Sequence, residues 1–285
     1  MKAIYSSAKA VRVWLGDPAP GSDDAMAIIK GLGQGVLPQD IKLHDGSVRD
    51  RHIQSTAELM RRPWWKRTWV QQELILSKRA VFHCGFSCLK WSAVPSMGDF
   101  DSLMVLSQES LRFNNDTLDE LVDSFDAVTR PQNMASIYRH GPEALDEDCV
   151  LIFAYGRQCQ NSDLRDSIYG FLGLMDQQIA SKIRPNYGSS VSNVFQDAAI
   201  QLTLCFQSLI LFSLTSYLQR SQRSVPTWVP TWSNLNVPGS VKRMGAKASA
   251  TLSTRLLLDL RRVSDEVQNG QNPTPSSCPA PEWIR

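Results

Sequence analysis

Alternating and helical patterns of apolar residues divide the N-terminal third of the chain into strands and helices. Ala10–Leu15 alternates apolar with polar residues and ends at a Gly-Asp-Pro turn, which predicts a strand. Ser22–Leu32 and Ile53–Met60 have the apolar spacing of helices, and Arg79–Cys84 has the composition of a second strand. The order of strand, helices and strand is typical of an α/β unit.

A third helix is predicted over Pro63–Lys78, because proline without its N–H is tolerated at the first helical position. Its spacing places Trp65, Trp69 and Glu73 on one face. A carboxylate on a tryptophan-lined face is costly unless it is paired or functional, and burial there would raise its pKa, as in a catalytic acid or base. The alternative is a structural ion pair with a nearby basic residue: Arg62, Lys66 or Arg67.

The remaining two thirds of the chain has weaker patterns. Phe100–Val128 is acidic and weakly helical, and Arg130–Gly141 is predicted to be a loop. Asp163–Met175 has the spacing of an amphipathic helix, and Ser190–Phe206 is the clearest long helix, with a serine in position to cap it. The stretch from Asn269 onward is rich in Pro, Ser and Asn and predicts a disordered tail.

Composition and charge narrow the classes of protein. The chain has 285 residues, 42% of them hydrophobic, and its eight Trp and ten Phe exclude disorder throughout. The net charge of +2 hides an acidic segment from Asp99 to Asp148, with twelve acidic and three basic residues. This segment is either a solvated surface or is docked on the basic stretch Arg220–Arg262. The basic residues lack interleaved aromatic residues, so we expect no nucleic-acid partner.

Membrane and metal sites are not expected either. Lys9 and Arg12 interrupt the apolar start, which excludes a secretory signal, and Leu202–Leu214 is too short to span a bilayer. We therefore expect a cytoplasmic protein with no membrane partner. His83, Cys84 and Cys88 resemble part of a zinc site, but the second half of a four-ligand set is missing, so no metal is predicted.

Several spaced motifs resemble one known family, the fungal heterokaryon incompatibility (HET) domain. The family pattern is Met-x-x-Ile-Tyr-x-x-Ala, a strand ending in Trp-Leu-Gly, then Arg-Pro-Trp-x-x-Arg-x-Trp-x-x-x-Glu, then a Cys-Gly strand followed by Trp. The matching residues are Met1, Ile4, Tyr5, Ala8, Trp14, Leu15, Gly16, Arg62, Pro63, Trp64, Arg67, Trp69, Glu73, Cys84, Gly85 and Trp91.

Downstream blocks extend the resemblance. Asp163-Leu164-Arg165-Asp166 with Ile168-Tyr169, then Arg184-Pro185-Asn186-Tyr187, then Val225–Trp232 are similar to blocks of the same family, with Leu164 in place of a proline. The resemblance predicts four parts: 1–97 is the C-terminal half of a HET domain, 98–148 an acidic helical or loop segment, 149–238 a mainly helical region, and 239–285 a basic linker with a disordered tail.

The family resemblance also carries an expectation about the fold. Met1 aligns with a methionine inside the family pattern, so we expect an N-terminally truncated HET domain protein. The HET domain in turn resembles TIR domains. The expected fold is therefore α/β: a partial TIR-like (flavodoxin-like) parallel sheet that lacks its N-terminal strands, followed by a mainly helical region.

The resemblance implies non-self recognition and programmed cell death signalling. In TIR enzymes that cleave NAD, the catalytic glutamate stands four residues after a tryptophan, as Glu73 does after Trp69. The resemblance therefore implies that Glu73 is a catalytic residue supported by Trp69, and that Arg62 or Arg67 faces the NAD pyrophosphate. NAD would be a substrate, and no cofactor is expected. The alternatives are a non-enzymatic module that binds an incompatibility partner or self-associates, and a truncated, non-functional paralogue.

Overall fold

The computed structural model describes residues 2–44, 46–48, 50–96, 115–139, 146–214, 225–226, 228–230 and 232. The chain divides into two compact units, Met1–Ser136 and Ile137–Arg285. This division falls inside the segment 98–148, and the predicted four-part organisation stays a prediction.

The first unit contains a sheet with helices between its strands. In chain order its elements are α1 (Lys2–Ser7), β1 (Val11–Trp14), α2 (Ser22–Leu32), β2 (Lys42–Leu43), β3 (Gly46–Ser47), α3 (Asp50–Met60), α4 (Thr68–Ile75), β4 (Ala80–Cys84), β5 (Ser87–Lys90) and α5 (Asn115–Arg139), which ends in the second unit. Short 3₁₀ turns lie at Pro38–Asp40, Pro63–Lys66 and Trp91–Ala93.

The main sheet has three strands in the order β1-β4-β5 and is mixed. β1 pairs in parallel with β4, as the strand–helix–strand pattern predicts, whereas β4 pairs antiparallel with β5. The expectation of a purely parallel sheet is therefore wrong. Only Gly85 and Phe86 separate β4 from β5, and so short a connection reverses the chain directly, whereas a parallel pair would need a long crossover. The described residues of this unit thus form a mixed α/β fold.

Side chains alternate between the two faces of this sheet. Val13, Phe82 and Leu89 lie opposite one another across the three strands and are buried. They join a core with α2 and α3, whose apolar residues include Ile28, Ile29, Ile53, Leu59 and Met60. The period of two that predicted β1 therefore reflects one buried and one exposed face.

The predicted helix over Pro63–Lys78 is wrong as a single element. Pro63–Lys66 is a 3₁₀ turn, Arg67 has an extended backbone with φ −73° and ψ 138°, and α4 begins at Thr68. The break has a packing reason. Trp65 is 2% exposed, its Nε1 donates to the carbonyl of Leu59 at 3.1 Å, and its ring lies 4.8 Å from that of Phe82. Packing of Trp65 in the core therefore places it at a position that one continuous helix from Pro63 could not give it.

The loop predicted over Arg130–Gly141 is also wrong for its described residues, since α5 continues through Pro131 to Arg139. Arg130 bridges to Asp126 one turn earlier at 2.8 Å, and Gln132 donates to the carbonyl of Val94 at 2.8 Å. Buried residues precede and follow the proline, among them Val128 and Met134. Tertiary packing therefore outweighs the hydrogen bond that proline removes from the helix.

The second unit is helical in its described residues. Its elements after α5 are α6 (Asp146–Gly156), α7 (Asp166–Tyr169), α8 (Gln177–Ala180) and α9 (Val191–Phe206), with 3₁₀ turns at Leu172–Leu174 and Ile210–Leu214. α9 confirms the long helix, and the Ser190 side chain accepts from the Asn193 N–H at 3.2 Å as its cap. The helix predicted over Asp163–Met175 is wrong beyond its central turn, because the side chains that precede α7 bond to a later segment, as described below.

Aromatic side chains from distant segments make the core of this unit. Phe153 contacts both Phe171 and Trp232 edge-on, with ring centroids 6.3 and 5.1 Å apart. Trp232 is 1% exposed, and its Nε1 donates to the carbonyl of Phe195 on α9 at 3.2 Å. A Cβ on Gly156 would collide with the Phe171 ring, so this close approach requires glycine.

Two parts of the sequence interpretation lie outside the described residues: the linker and tail over 239–285, and much of the acidic segment. No described helix combines the length and the apolar character that a bilayer crossing requires.

Candidate functional site

The first helix of the chain and α4 bring Tyr5 and Glu73 together. Tyr5 lies on α1, which packs against α4, and its hydroxyl hydrogen-bonds the carboxylate of Glu73. Both side chains are half-buried. Val70 and Leu74 are buried on the other side of α4, and they anchor the helix so that Glu73 lies at its accessible margin.

Charge and burial hold Tyr5 in its neutral form. Burial, the negative charge of Glu73 and the hydrogen bond to it all raise the pKa of Tyr5, whereas the positive charge of Arg67 opposes the shift. The phenol is therefore the proton donor and Glu73 the acceptor. Arg67, Tyr5 and Glu73 form one electrostatically coupled group, which we call the Tyr5–Glu73 site.

The structure brings together only some of the residues predicted for this site. Trp69 lies one turn before Glu73 on α4 and is half-buried, as the spacing requires. Trp65, on the preceding 3₁₀ turn, is part of the core and hydrogen-bonds Leu59. The face around Glu73 is therefore less rich in tryptophan than a continuous helix would make it.

Arg62 has a different set of partners from the one expected for a pyrophosphate ligand. Its Nη1 donates to the carbonyl of Leu15 at 2.8 Å, and its Nη2 donates to the carbonyl of Asp17 at 2.9 Å. Both acceptors lie in the loop after β1. Gly16 between them has φ +114°, and a Cβ there would lie 3.0 Å from Arg62 Nη1. In this structure Arg62 fastens the loop at the carboxyl end of β1.

Gln71 places a polar group on the buried side of the same helix. It is fully buried, and its Oε1 has no hydrogen-bond partner among the described residues. An unsatisfied buried acceptor costs about 1–3 kcal/mol. Such groups are uncommon in folded proteins and require a specific reason to persist.

A second motif-bearing cluster lies in the second unit and centres on Arg165. Its Nε and Nη2 donate to the two carboxylate oxygens of Asp163, at 2.9 and 2.7 Å. Its Nη1 donates to the backbone carbonyls of Tyr187 and Ser189. The fork of Arg165 thus joins the two downstream sequence blocks, and the hydrogen bonds from Arg165 hold the pKa of Asp163 below its ordinary value.

Tyrosines complete this cluster, which we call the Arg165 junction. Tyr187 donates from its hydroxyl to Asp166 at 2.6 Å, and Asp166 is 8% exposed. Burial, and then the hydrogen bond to Asp166, raise the pKa of Tyr187 strongly. The Tyr169 hydroxyl accepts from the Asn186 N–H at 3.0 Å. These bonds take the side chains before α7 away from the helical positions that their spacing predicts.

Sequence reasoning missed the pairing of Tyr5 with Glu73 and the joining of the two downstream blocks. The available signal was the presence of Tyr5 and Glu73 in one family pattern, although the pattern does not say which residues touch. In the described part of the chain, no three His, Cys, Asp or Glu side chains are grouped so as to hold a metal ion. The Tyr5–Glu73 site can accept hydrogen bonds from hydroxyl groups and can stabilise a neighbouring positive charge.

Comparison with known proteins adds two findings. Residues 1–73 match the family model described as heterokaryon incompatibility protein (HET). The chain is also 26% identical over 291 aligned positions to heterokaryon incompatibility protein 6, OR allele, from Neurospora crassa. That alignment covers 81% of this chain and 41% of the relative, so the chain spans less than half of the relative's length.

No solved structure matches the chain. The family match ends at Glu73 and therefore contains both halves of the Tyr5–Glu73 site. The match confirms the resemblance found in the motifs: residues 1–73 of this chain are similar to the heterokaryon incompatibility (HET) family.

Proposed function

We propose that this chain takes part in fungal non-self recognition by heterokaryon incompatibility, and that its HET segment signals programmed cell death. The support is the family match over residues 1–73 together with the Neurospora relative, whose name assigns it to heterokaryon incompatibility. Recognition of this kind requires protein partners, and an incompatibility partner is the expected one.

Within this function, the Tyr5–Glu73 site is the part of the HET segment that acts. The observation that carries this assignment is a half-buried carboxylate held by a tyrosine from a different helix, both inside the matched residues. A glutamate that served only to stabilise the fold could be replaced by a neutral hydrogen-bond acceptor of the same shape. A glutamate that acts chemically could not.

The chemistry proposed for the site is TIR-like cleavage of the nicotinamide–ribose bond of NAD. Glu73 would accept hydrogen bonds from ribose hydroxyls and stabilise the positive charge that develops on the sugar, as carboxylates do in glycosidic bond cleavage. Trp69 would line the site one helical turn away. Arg67 is exposed and close to the site, so it is a better candidate for the pyrophosphate than Arg62, whose guanidinium is engaged with the loop after β1.

A survival assay in fungal cells tests both levels of the proposal. The full chain is expressed with and without a candidate incompatibility partner, and surviving cells and cellular NAD are measured. Glu73→Gln keeps shape and hydrogen bonding while removing the charge. Glu58→Gln, on the exposed side of α3, is the matched control. We expect the wild type and Glu58→Gln to lose NAD and viability, and Glu73→Gln to retain both.

The outcomes separate enzyme from interaction module. Cell death with unchanged NAD in all three proteins would contradict NAD cleavage and favour a non-enzymatic module. That second candidate is favoured by the Tyr5 hydrogen bond, which uses part of the acceptor capacity of Glu73 to join α1 to α4. Full survival with every partner tested would contradict the cell-death proposal itself.

A further inference from the structure

The carboxylate of Glu73 needs a support that helix packing alone does not give it. Val70 and Leu74 are buried and fix the backbone of α4, whereas the Glu73 side chain lies half-buried at the margin of the helix. A glutamate side chain loses more rotamer freedom when it is fixed than most side chains do. Its two oxygens therefore take defined positions only if a neighbouring group holds one of them.

Tyr5 supplies such a support from a different helix. α1 packs against α4, and the Tyr5 hydroxyl donates to the Glu73 carboxylate. Within α1, Ile4 is 64% exposed whereas Tyr5 is half-buried, so the helix turns Tyr5 toward α4. A tyrosine side chain is rigid, with only two χ angles. Its hydroxyl is therefore a fixed point for one oxygen of Glu73.

A phenol holds this carboxylate without neutralising its charge. Burial, the charge of Glu73 and the hydrogen bond to it raise the pKa of Tyr5, so the phenol stays protonated and neutral. An ammonium or guanidinium donor in the same place would form an ion pair and offset the negative charge. That charge is what the proposed reaction uses, since it stabilises the positive charge that develops on the sugar.

The proposed reaction gives Tyr5 no proton to move. Nicotinamide leaves the ribose with the electron pair of the broken C–N bond, and it departs as a neutral molecule because its ring nitrogen was positively charged. The leaving group therefore needs no acid. The water that replaces it on the sugar releases one proton, and a neutral phenol is a poor base for that proton.

We propose that Tyr5 is a positioning residue for Glu73: its hydroxyl holds one carboxylate oxygen, so that the other oxygen faces the ribose hydroxyls of the substrate. This inference deepens the proposed function and rests on it. Misplacing a reacting group by about one ångström costs about a hundredfold in rate, so loss of one hydrogen bond should cost about tenfold. Substrate affinity should change little, because Trp69 and Arg67 remain in place.

The contact between the two side chains is tested without any activity. The full chain is labelled with carbon-13 at the ring carbon that bears the hydroxyl in each of its six tyrosines, and the Tyr5 signal is assigned by NMR through its bonds to the backbone. Glu73→Gln replaces a charged acceptor by a neutral one, so we expect the Tyr5 signal to shift. Glu58→Gln on the exposed side of α3 is the matched control and should leave that signal in place. An unmoved Tyr5 signal in Glu73→Gln would overturn the proposal, and this test needs no substitution of Tyr5.

The role of Tyr5 is tested by the rate at which the full chain releases nicotinamide from NAD. Tyr5→Phe keeps the ring and removes the hydroxyl. Ser6→Ala removes a hydroxyl from the same helix, where Ser6 Oγ donates to the carbonyl of Ala3, so it is the matched control. We expect kcat to fall about tenfold and KM to stay within about twofold in Tyr5→Phe, with both unchanged in Ser6→Ala. A tyrosine that only joined α1 to α4 would leave kcat unchanged.

The outcomes separate this proposal from the function on which it rests. An active wild type with an equal kcat in Tyr5→Phe would overturn the positioning role and leave the proposed function intact. A wild type that kills cells without releasing nicotinamide would contradict NAD cleavage. Cell survival then tests Tyr5: protection by Tyr5→Phe, as by Glu73→Gln, would support its action through Glu73, and killing equal to that of the wild type would overturn it.

Discussion

The Tyr5–Glu73 site and the Arg165 junction contain the same three chemical groups, but they differ in how many of the hydrogen bonds of those groups are made within the chain. Each has a tyrosine hydroxyl bonded to a carboxylate, with an arginine nearby. In the junction, Arg165 is bonded to Asp163 and to two backbone carbonyls, and Asp166 is buried. In the site, Arg67 is exposed and acts on Tyr5 through its charge.

Residues of a family motif can serve either to hold the fold together or to bind a ligand. Groups whose hydrogen bonds are completed within the chain hold segments together, as Arg165 joins residues before α7 to those before α9. A half-buried carboxylate bonded to a tyrosine has capacity left for a ligand, because its two oxygens can accept several hydrogen bonds. Motif membership alone does not separate the two cases, because both sets of residues belong to family blocks.

The largest effect is expected from Arg165→Lys. One ammonium cannot reproduce a planar fork that bonds both oxygens of Asp163 and two carbonyls at once. We expect the unfolding temperature to fall by about 5 °C, measured by far-UV circular dichroism. Arg184→Lys, at an exposed arginine of the neighbouring block, is the control and should change little. Equal unfolding temperatures for the two variants would contradict a joining role for Arg165.

A smaller effect is expected from the hydrogen bond between Tyr187 and Asp166. Tyr187→Phe, Asp166→Asn and the double variant form a cycle that isolates this pair. Because Asp166 is largely buried, we expect a coupling free energy of about 1 kcal/mol in urea unfolding. A coupling energy near zero would show that the pair contributes nothing beyond its separate residues.

The smallest effect on stability is expected from Tyr5→Phe. Its hydrogen bond is accessible to solvent, so we expect well under about 1 kcal/mol in urea unfolding. Because the pKa of Tyr5 is raised in the folded chain, its contribution is present below about pH 10 and is lost as the pH rises further.

The control for Tyr5→Phe is Ser6→Ala on the same short helix. A larger loss of stability for Tyr5→Phe than for Tyr187→Phe would contradict the difference between the two regions. Unchanged stability together with altered cell survival for Tyr5→Phe would show that Tyr5 serves the site and not the scaffold.

Some elements follow from local sequence alone. The alternation at β1, the strand β4 and the long helix α9 were predictable because each buries one face at the period of its own secondary structure. The serine cap of α9 was predictable because its side chain bonds within one turn. Glu73 and Trp69 were identifiable from their spacing within the family pattern.

Other elements depended on partners distant along the chain. The turn at Pro63 leaves the helical path because Trp65 fills the core beside Phe82, and α5 passes through Pro131 because buried residues surround it. The antiparallel β5 also went unpredicted, since Ser-Cys-Leu-Lys has little β-branched or aromatic character and shows no clear alternation.

Local periodicity and motif spacing were sufficient to predict the resemblance to the HET family, the main strand–helix order and the candidate glutamate. The contact of Tyr5 with Glu73, the hydrogen bond of Arg62 to the loop after β1 and that of Arg165 to Ser189 were found only in the tertiary structure. Hydrogen bonds between residues tens of positions apart depend on the path of the folded backbone, and no short window of sequence contains that path.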